Sequence, residues 1–251
     1  MTDFLVIIPV HNEEANLPDL LTHLKSECSA LDVDIVAIND ASNDSSAKIL
    51  AEHGILTLTH STQMGYGITI QTGYKYGYRK GYQYLIQLDG DGQHDTRCLP
   101  SIMKELQSGE SDIVIGSRFL PKDNILFEPR NSLYYGTFFR WVGINLFRFV
   151  LLCLCWRKIT DPTSGYIGFN RSVLKFLCGK SFPFDYPDAD MIMTFLKNGF
   201  RLKEIPVYMY HNAKLHSLHR GCRPVWYVIK VFIAIFIAFI RKREIPFEKK
   251  A

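Results

Sequence analysis

The chain has 251 residues, 47% of them hydrophobic, and carries 29 lysines and arginines against 25 aspartates and glutamates, a formal net charge of +4. That length and apolar content suffice for one large domain, or a domain with an appendage, and exclude a disordered tail. The positive excess is mild and forms no dense cationic stripe, which excludes nucleic acid as the expected partner.

The chain enters an apolar strand at Phe4 with no basic stretch or small-residue cleavage site before it, so no signal peptide is expected. Strands are expected over Phe4–Ile8, Asp34–Ile38, Ile55–Thr59, Tyr84–Leu88 and Asp112–Ile115. Helices are expected between them, near Glu14–Ala30, Ser45–His53, Ile68–Lys80 and Arg97–Gln107. Strand and helix in alternation predict an α/β fold, a mostly parallel sheet with helices on both faces. Such sheets bind ligands beyond the carboxyl ends of their strands. The polar clusters fall there: Pro9-Val10-His11-Asn12-Glu13 after the first strand, Asn39-Asp40-Ala41-Ser42-Asn43-Asp44 after the second, and Gln87-Leu88-Asp89-Gly90-Asp91-Gly92-Gln93-His94-Asp95 after the fourth.

The second half changes character. Phe138 to Trp156 reads FFRWVGINLFRFVLLCLCW, and Val225 to Ile240 reads VWYVIKVFIAIFIAFI before Arg241-Lys242-Arg243. Sixteen helical residues span about 24 Å, short of the roughly 30 Å of a bilayer core. Aromatics at one end and a basic triplet at the other predict a segment lying in, or dipping into, the interface of an anionic leaflet. A short snorkelling span and a buried helix or dimer contact are the other readings. The six cysteines form no CxxC pair and read as reduced thiols in a cytosolic setting.

Asp89-Gly90-Asp91 reads either as a tight turn leading to a helix cap or as a metal-holding pair. The second reading rests on position: two carboxylates crowded at a strand's end repel unless a cation separates them. A hard ion, Mg²⁺ or Mn²⁺, accepts one or two carboxylates together with diphosphate oxygens. A nicotinamide-type dinucleotide site is disfavoured, because the first loop, PVHNEEAN, lacks the glycines that let backbone approach a pyrophosphate.

Taken in order, the motifs after the three strands, with Gly116-Ser117-Arg118 and Asp161-Pro162-Thr163-Ser164-Gly165, resemble those of family 2 glycosyltransferases. Within that family the chain is most similar to the dolichyl-phosphate mannose synthase and bacterial polyprenyl-phosphate glycosyltransferase branch, from about Phe4 to about Tyr210. The resemblance implies a GT-A fold over 1–210, with an amphipathic interface segment at 131–158, followed over 211–251 by a basic loop and a membrane-associated helix. It implies a hexosyltransferase that moves one sugar, with inversion, from a nucleoside diphosphate sugar to polyprenyl phosphate at the cytoplasmic membrane face. A small membrane protein partner or self-association is also expected.

Carried over by position, Asp89 and Asp91 would hold the metal and diphosphate, with Gln93 beside them. Pro9, His11, Glu13 and Asp40 would line the nucleoside pocket. Arg118 and Arg130 would meet the acceptor phosphate, which a guanidinium fork suits. Structural readings stand beside these: Pro9 ending a strand, Glu13 serving a helix N-terminus, and Arg130 as a solvated base.

The chain departs from its relatives at Asn39, where they show Asp, at Gln63, where they show Asn, and over Lys214–Arg220, where they are rich in Gly and Ser. In that last stretch His216 or His219 could lend an imidazole to the metal, or the basic loop could face lipid headgroups. If the acceptor were instead a saccharide hydroxyl in cell-surface polysaccharide synthesis, it would need a base, and Asp188 or Asp190 is the candidate. A non-catalytic nucleotide-sugar-binding subunit is the remaining alternative.

Overall fold

The protein is described by a computed structural model covering residues 2–133, 138–179, 182, 189–211, 233, 235–237 and 239–240. Its strands are β1 (Phe4–Val10), β2 (Val33–Asn39), β3 (Leu56–Thr59), β4 (Tyr84–Gln87), β5 (Ile113–Ser117), β6 (Ile167–Asn170) and β7 (Leu202–Pro206). The helices are α1 (Leu17–Cys28), α2 (Ser46–Glu52), α3 (Tyr66–Lys80), α4 (Leu99–Gln107), α5 (Phe138–Cys155), α6 (Arg171–Leu177) and α7 (Ala189–Lys197). The expected alternation through β5 is present, with boundaries shifted by a few residues.

The strands form one sheet in the order β3-β2-β1-β4-β6-β5-β7. All neighbouring pairs are parallel except those of β6, which runs antiparallel to both β4 and β5. β1 is central and buried along its whole length, which is why its sequence, FLVIIPV, is continuously apolar rather than alternating. One face of the sheet is covered by α1, α2 and α4, packed on Val6, Ile8, Ala37 and Ile86. The other is covered by α3, α5, α6 and α7, packed on Leu5, Ile7, Ile38 and Phe169.

Glycines let α3 approach the sheet closely. A β-carbon on Gly73 would fall 2.7 Å from Ile7 Cδ1, and one on Gly77 would fall 2.9 Å from Leu85 Cδ1. The helix ends at Gly81, whose φ of 96° is the left-handed cap that a glycine accepts without strain. This close packing brings the N-terminus of α3 to the carboxyl end of β4, where the acidic loop begins.

α5 is two-faced. Ile144, Phe147 and Leu151 are buried, while Trp141, Val142, Leu146, Phe149 and Leu152 are exposed, as is Trp156 just beyond the helix. No helix among the described residues is long and apolar enough to cross a membrane. Asp188, Lys214, His216, His219 and Arg220 lie outside the described residues, as does most of Val225–Ile240. Five of the cysteines are free thiols, and Cys222 lies outside the described residues.

Candidate active site

The loops after β1 and β2 are tied to each other residue by residue, which accounts for the run of small polar residues in NDASNDSS. Asn12 N–H donates to Ser42 Oγ at 3.1 Å, and Asn43 N–H returns a bond to Asn12 Oδ1 at 2.8 Å. Glu13 N–H donates to Ser46 Oγ at 2.8 Å, and Glu14 N–H to Asp44 Oδ2 at 3.0 Å. Asn12 has a φ of 56°, a left-handed conformation that asparagine tolerates better than most residues. Asn39 Oδ1 accepts from both the backbone and the hydroxyl of Ser42, at 3.1 and 2.6 Å.

Asp40 is buried, and its carboxylate is committed to the chain itself. It accepts from His60 Nδ1 and Met64 N–H through Oδ1 and from Gly65 N–H through Oδ2, each at 2.8 Å. Burial opposes its ionisation, yet these bonds hold its pKa below the usual carboxylate range. Asp40 thus anchors the loop leading into α3. His11 Nδ1–H donates to the Asp40 carbonyl at 2.7 Å, and Pro9 lies buried in β1 with its carbonyl against Gly90. A β-carbon at Gly90 would stand 2.8 Å from that carbonyl, so β1 and the acidic loop touch backbone to backbone.

Asp89 leaves β4 with its side chain 24% exposed. Its Oδ1 accepts from Tyr66 Oη at 2.8 Å, and its Oδ2 lies 3.7 Å from His94 Nε2. Burial raises its pKa, offset in part by the Tyr66 hydrogen bond and the charge of Arg118. Asp91 Oδ1 accepts from Gln93 N–H at 3.0 Å, closing the turn around Gly92. Glu13 joins this pair as a third acid. Its pKa is raised to about 6, first by burial, against a hydrogen bond from Asn16, and then by the charges of Asp91 and Asp89.

His94 is buried and stacks flat on Tyr166, with ring centroids 4.8 Å apart and planes 6° apart. Burial pushes its pKa down to about 4, so the ring is neutral at neutral pH. Asp89 N–H donates to His94 Nδ1 at 3.4 Å, which leaves the proton on Nε2, facing Asp89.

Arg118 reaches the same region as half of a buried pair. Its Nε and Nη2 bind Asp161 Oδ2 and Oδ1 at 2.7 and 2.6 Å, and Nη2 also donates to Thr163 Oγ1 at 2.9 Å. Arg130 Nη2 pairs with Glu27 of α1 at 2.8 Å. Asp190 is buried in the first turn of α7. Gln93 is buried, and its carbonyl accepts from Tyr210 N–H at 2.8 Å. Asp95 closes the acidic stretch structurally, accepting from Arg97 Nε and Nη2 at 3.0 and 2.6 Å and from the Tyr210 hydroxyl.

The structure therefore brings Asp89, Asp91, Glu13 and Gln93 together. It places Asp40 and Arg118 beside them in committed contacts, and it places Arg130 in an ion pair with α1. Sequence reasoning quoted Gln87 and Gly165 within motifs but gave them no role in the site, and it missed Tyr66, whose one signal is the pair of glycines flanking it at the start of α3. Among the described residues, no group of three or more His, Cys, Asp or Glu side chains could hold a metal alone. The donor chemistry nevertheless fits a hard cation shared with a ligand: Asp89 and Asp91 offer carboxylate oxygens, and the charges of both add to burial in raising the pKa of Glu13 beside them, negative charge that a cation relieves.

The chain is 28% identical over 221 residues to polyprenol monophosphomannose synthase of Mycolicibacterium smegmatis, covering 81% of this chain and 76% of the relative. It is 27% identical over 213 residues to undecaprenyl-phosphate mannosyltransferase of Micrococcus luteus, covering 81% and 82%. In fold it is similar to glucosyl-3-phosphoglycerate synthase of Mycobacterium tuberculosis, solved with Mn²⁺, UDP and glucosyl-3-phosphoglycerate, at a TM-score of 0.67 and 15% identity over 95% of this chain and 80% of that one. A mannosyltransferase of Pyrobaculum calidifontis, solved with GDP-Man and Mn²⁺, matches at 0.64 and 16% identity over 97% and 66%. The model of the family described as Glycosyl transferase family 2 matches residues 5–178. With that match over most of the chain and the GT-A-like sheet beneath it, the chain belongs to glycosyl transferase family 2 and is a glycosyltransferase.

Proposed function

We propose that this glycosyltransferase moves a single sugar from a nucleoside diphosphate sugar to a polyprenyl phosphate at the cytoplasmic face of a membrane, with inversion at the anomeric carbon. The observation that carries the donor half is the convergence of Asp89, Asp91 and Glu13 at the ends of β1 and β4. Asp89 and Asp91 would hold a magnesium or manganese ion together with the diphosphate. Such an ion, when bound, would neutralise the charge that develops on the departing nucleoside diphosphate. The neighbours solved with Mn²⁺ and a nucleotide support this assignment.

The residues around the pair orient and shield it. Tyr66 and the wall at Gly165 fix the Asp89 carboxylate, and His94, neutral and stacked, closes the site from beneath. Arg118, held by Asp161, contributes positive charge on the side of the Asp161–Gly165 loop. A phosphate acceptor is already anionic, so its oxygen attacks the anomeric carbon without a strong general base. The burial of Asp190 agrees with that economy. The lipid half rests on the outward face of α5, where Trp141, Phe149 and Leu152 are exposed as an amphipathic helix at an interface requires. The names of the mycobacterial and micrococcal relatives support it.

The test incubates membranes containing the protein with radiolabelled UDP- and GDP-sugars and added polyprenyl phosphate, with Asp91→Asn as control. Label should enter the organic phase only with intact Asp91 and a divalent cation. Label passed instead to a water-soluble saccharide would replace this reading with the hydroxyl-acceptor enzyme and make Asp188 or Asp190 its base.

A further inference from the structure

We propose that Tyr66 is a positioning residue of this site, fixed as a hydrogen-bond donor to Asp89 by a chain of ordered protons running from Tyr74 through Gln87. The inference rests on the assignment of Asp89 to the cation and diphosphate.

The order of protons follows from which atoms can accept. The carbonyl of Gly165 only accepts, and it lies 3.1 Å from one end of the Gln87 amide, so that end is the NH₂ group. The same Nε2 stands 2.8 Å from Tyr66 Oη and donates its second hydrogen there. The opposite end, Oε1, is 2.5 Å from the hydroxyl of Tyr74, which is fully buried and directs its hydrogen onto that oxygen. Tyr66 Oη already receives a hydrogen from Gln87 and therefore turns its own toward Asp89 Oδ1, 2.8 Å away.

The other carboxylate oxygen is confined as well. A β-carbon at Gly165 would fall 2.1 Å from Asp89 Oδ2, so the Asp161–Gly165 loop is a wall on that side. The Gly165 carbonyl that receives Gln87 belongs to the residue forming the wall. One buried glutamine thus joins α3, β4 and that loop around a single carboxylate. The arrangement holds Asp89 in one rotamer before any ligand arrives, which is the preorganisation that electrostatic catalysis requires. Tyr74, although buried in the core, is linked to Asp89 by hydrogen bonds through Gln87 and Tyr66.

Two measurements test this with the full-length protein, using Tyr66→Phe, Tyr74→Phe, Asp89→Ala and Asp89→Asn. Tyr66 lies at the surface, so losing its hydroxyl leaves folding intact. In metal-free protein, urea unfolding of Tyr66→Phe, Asp89→Ala and the double variant Tyr66→Phe/Asp89→Ala, alanine being chosen because asparagine would keep an acceptor for Tyr66, should show a combined effect smaller than the sum; additive effects overturn the proposal whatever becomes of the metal assignment. In the second measurement Mn²⁺ alone is titrated by electron paramagnetic resonance. Tyr66→Phe should weaken Mn²⁺ binding about tenfold, the scale of one hydrogen bond to a charged group. Tyr74→Phe should weaken it less, and less again once Tyr66 is Phe. Unchanged affinity in Tyr66→Phe, with binding abolished in Asp89→Asn, overturns the positioning role and leaves the metal assignment standing. Unchanged affinity in Asp89→Asn overturns the metal assignment, and the unfolding cycle then decides Tyr66 by itself.

Discussion

Gly165 backs directly on Asp89: a β-carbon at Gly165 would lie 2.1 Å from Oδ2 and 2.9 Å from the carboxyl carbon. The obstacle is the end of a side chain rather than backbone, so in Gly165→Ala the carboxylate swings aside while the sheet stays as it is. The expected outcome is a loss of sugar transfer of about 100-fold, typical of a misplaced reacting group, with an unfolding midpoint close to that of the unaltered protein. Steady-state kinetics and denaturant titration of the same preparation check both halves; a fully active alanine variant would show that Asp89 needs no fixed seat.

The Arg118–Asp161 pair is buried, with Asp161 inaccessible to solvent and Arg118 only 8% exposed. Removing one partner strands the other charge. Asp161→Ala should therefore cost about 3–5 kcal/mol of stability, far more than Glu27→Ala, whose partner Arg130 is 28% exposed at its side chain and can return to water. Urea unfolding of the two variants side by side measures the contrast, and equal losses would count against the buried-pair argument.

His94 makes stability pH-dependent, with a sign that follows from its environment. Burial lowers its folded-state pKa from 6.5 to about 4, so between those values the unfolded chain binds the extra proton. The contribution is whole above pH 6.5 and is lost as pH falls toward 4, to a total of about 3 kcal/mol. Glu13 acts oppositely in part of the same range. Its pKa is raised to about 6 from 4.5, so the folded state there binds the extra proton and stability falls as pH rises through the interval. A Glu13→Gln variant should thus show a steeper acid loss than the unaltered protein, and His94→Gln a shallower one; unfolding free energies measured from pH 7 to 4 decide.

The exposed face of α5 carries the membrane expectation. Phe149 is 63% exposed and Trp141 58%, so replacing either with Ser leaves the buried face of the helix intact. Each Ser variant should keep its unfolding midpoint and lose about tenfold in partitioning to vesicles containing anionic lipid, the scale of one aromatic side chain withdrawn from an apolar phase. Flotation or tryptophan-quenching assays measure it, and undiminished partitioning of the double variant would assign this face to another contact.

Much of this protein was legible in its sequence because the signals are local. Continuous apolar runs such as Phe4–Ile8 and Tyr84–Ile86 can hide only between two helical layers, and polar clusters following such strands mark the ligand-binding edge of a parallel sheet. Hence the alternation through β5 and the gathering of polar loops at the ends of β1, β2 and β4 were accessible from the residues.

What the tertiary structure decided are the relationships across long separations. Four residues of β6, Ile167–Asn170, carry no mark of direction, and their antiparallel insertion between β4 and β5 follows from which edges remained to be paired. Arg118 meets Asp161 across 43 positions, and Tyr66 meets Asp89 across 23. Asp40 reads from the sequence as a nucleoside ligand; that its carboxylate also accepts from His60, Met64 and Gly65 is visible only in the fold. Side-chain period and strand burial are imposed residue by residue along the chain, whereas a carboxylate's partner is whichever donor the packing of α3 and the Asp161–Gly165 loop brings to it, and that is determined only when the whole sheet has closed.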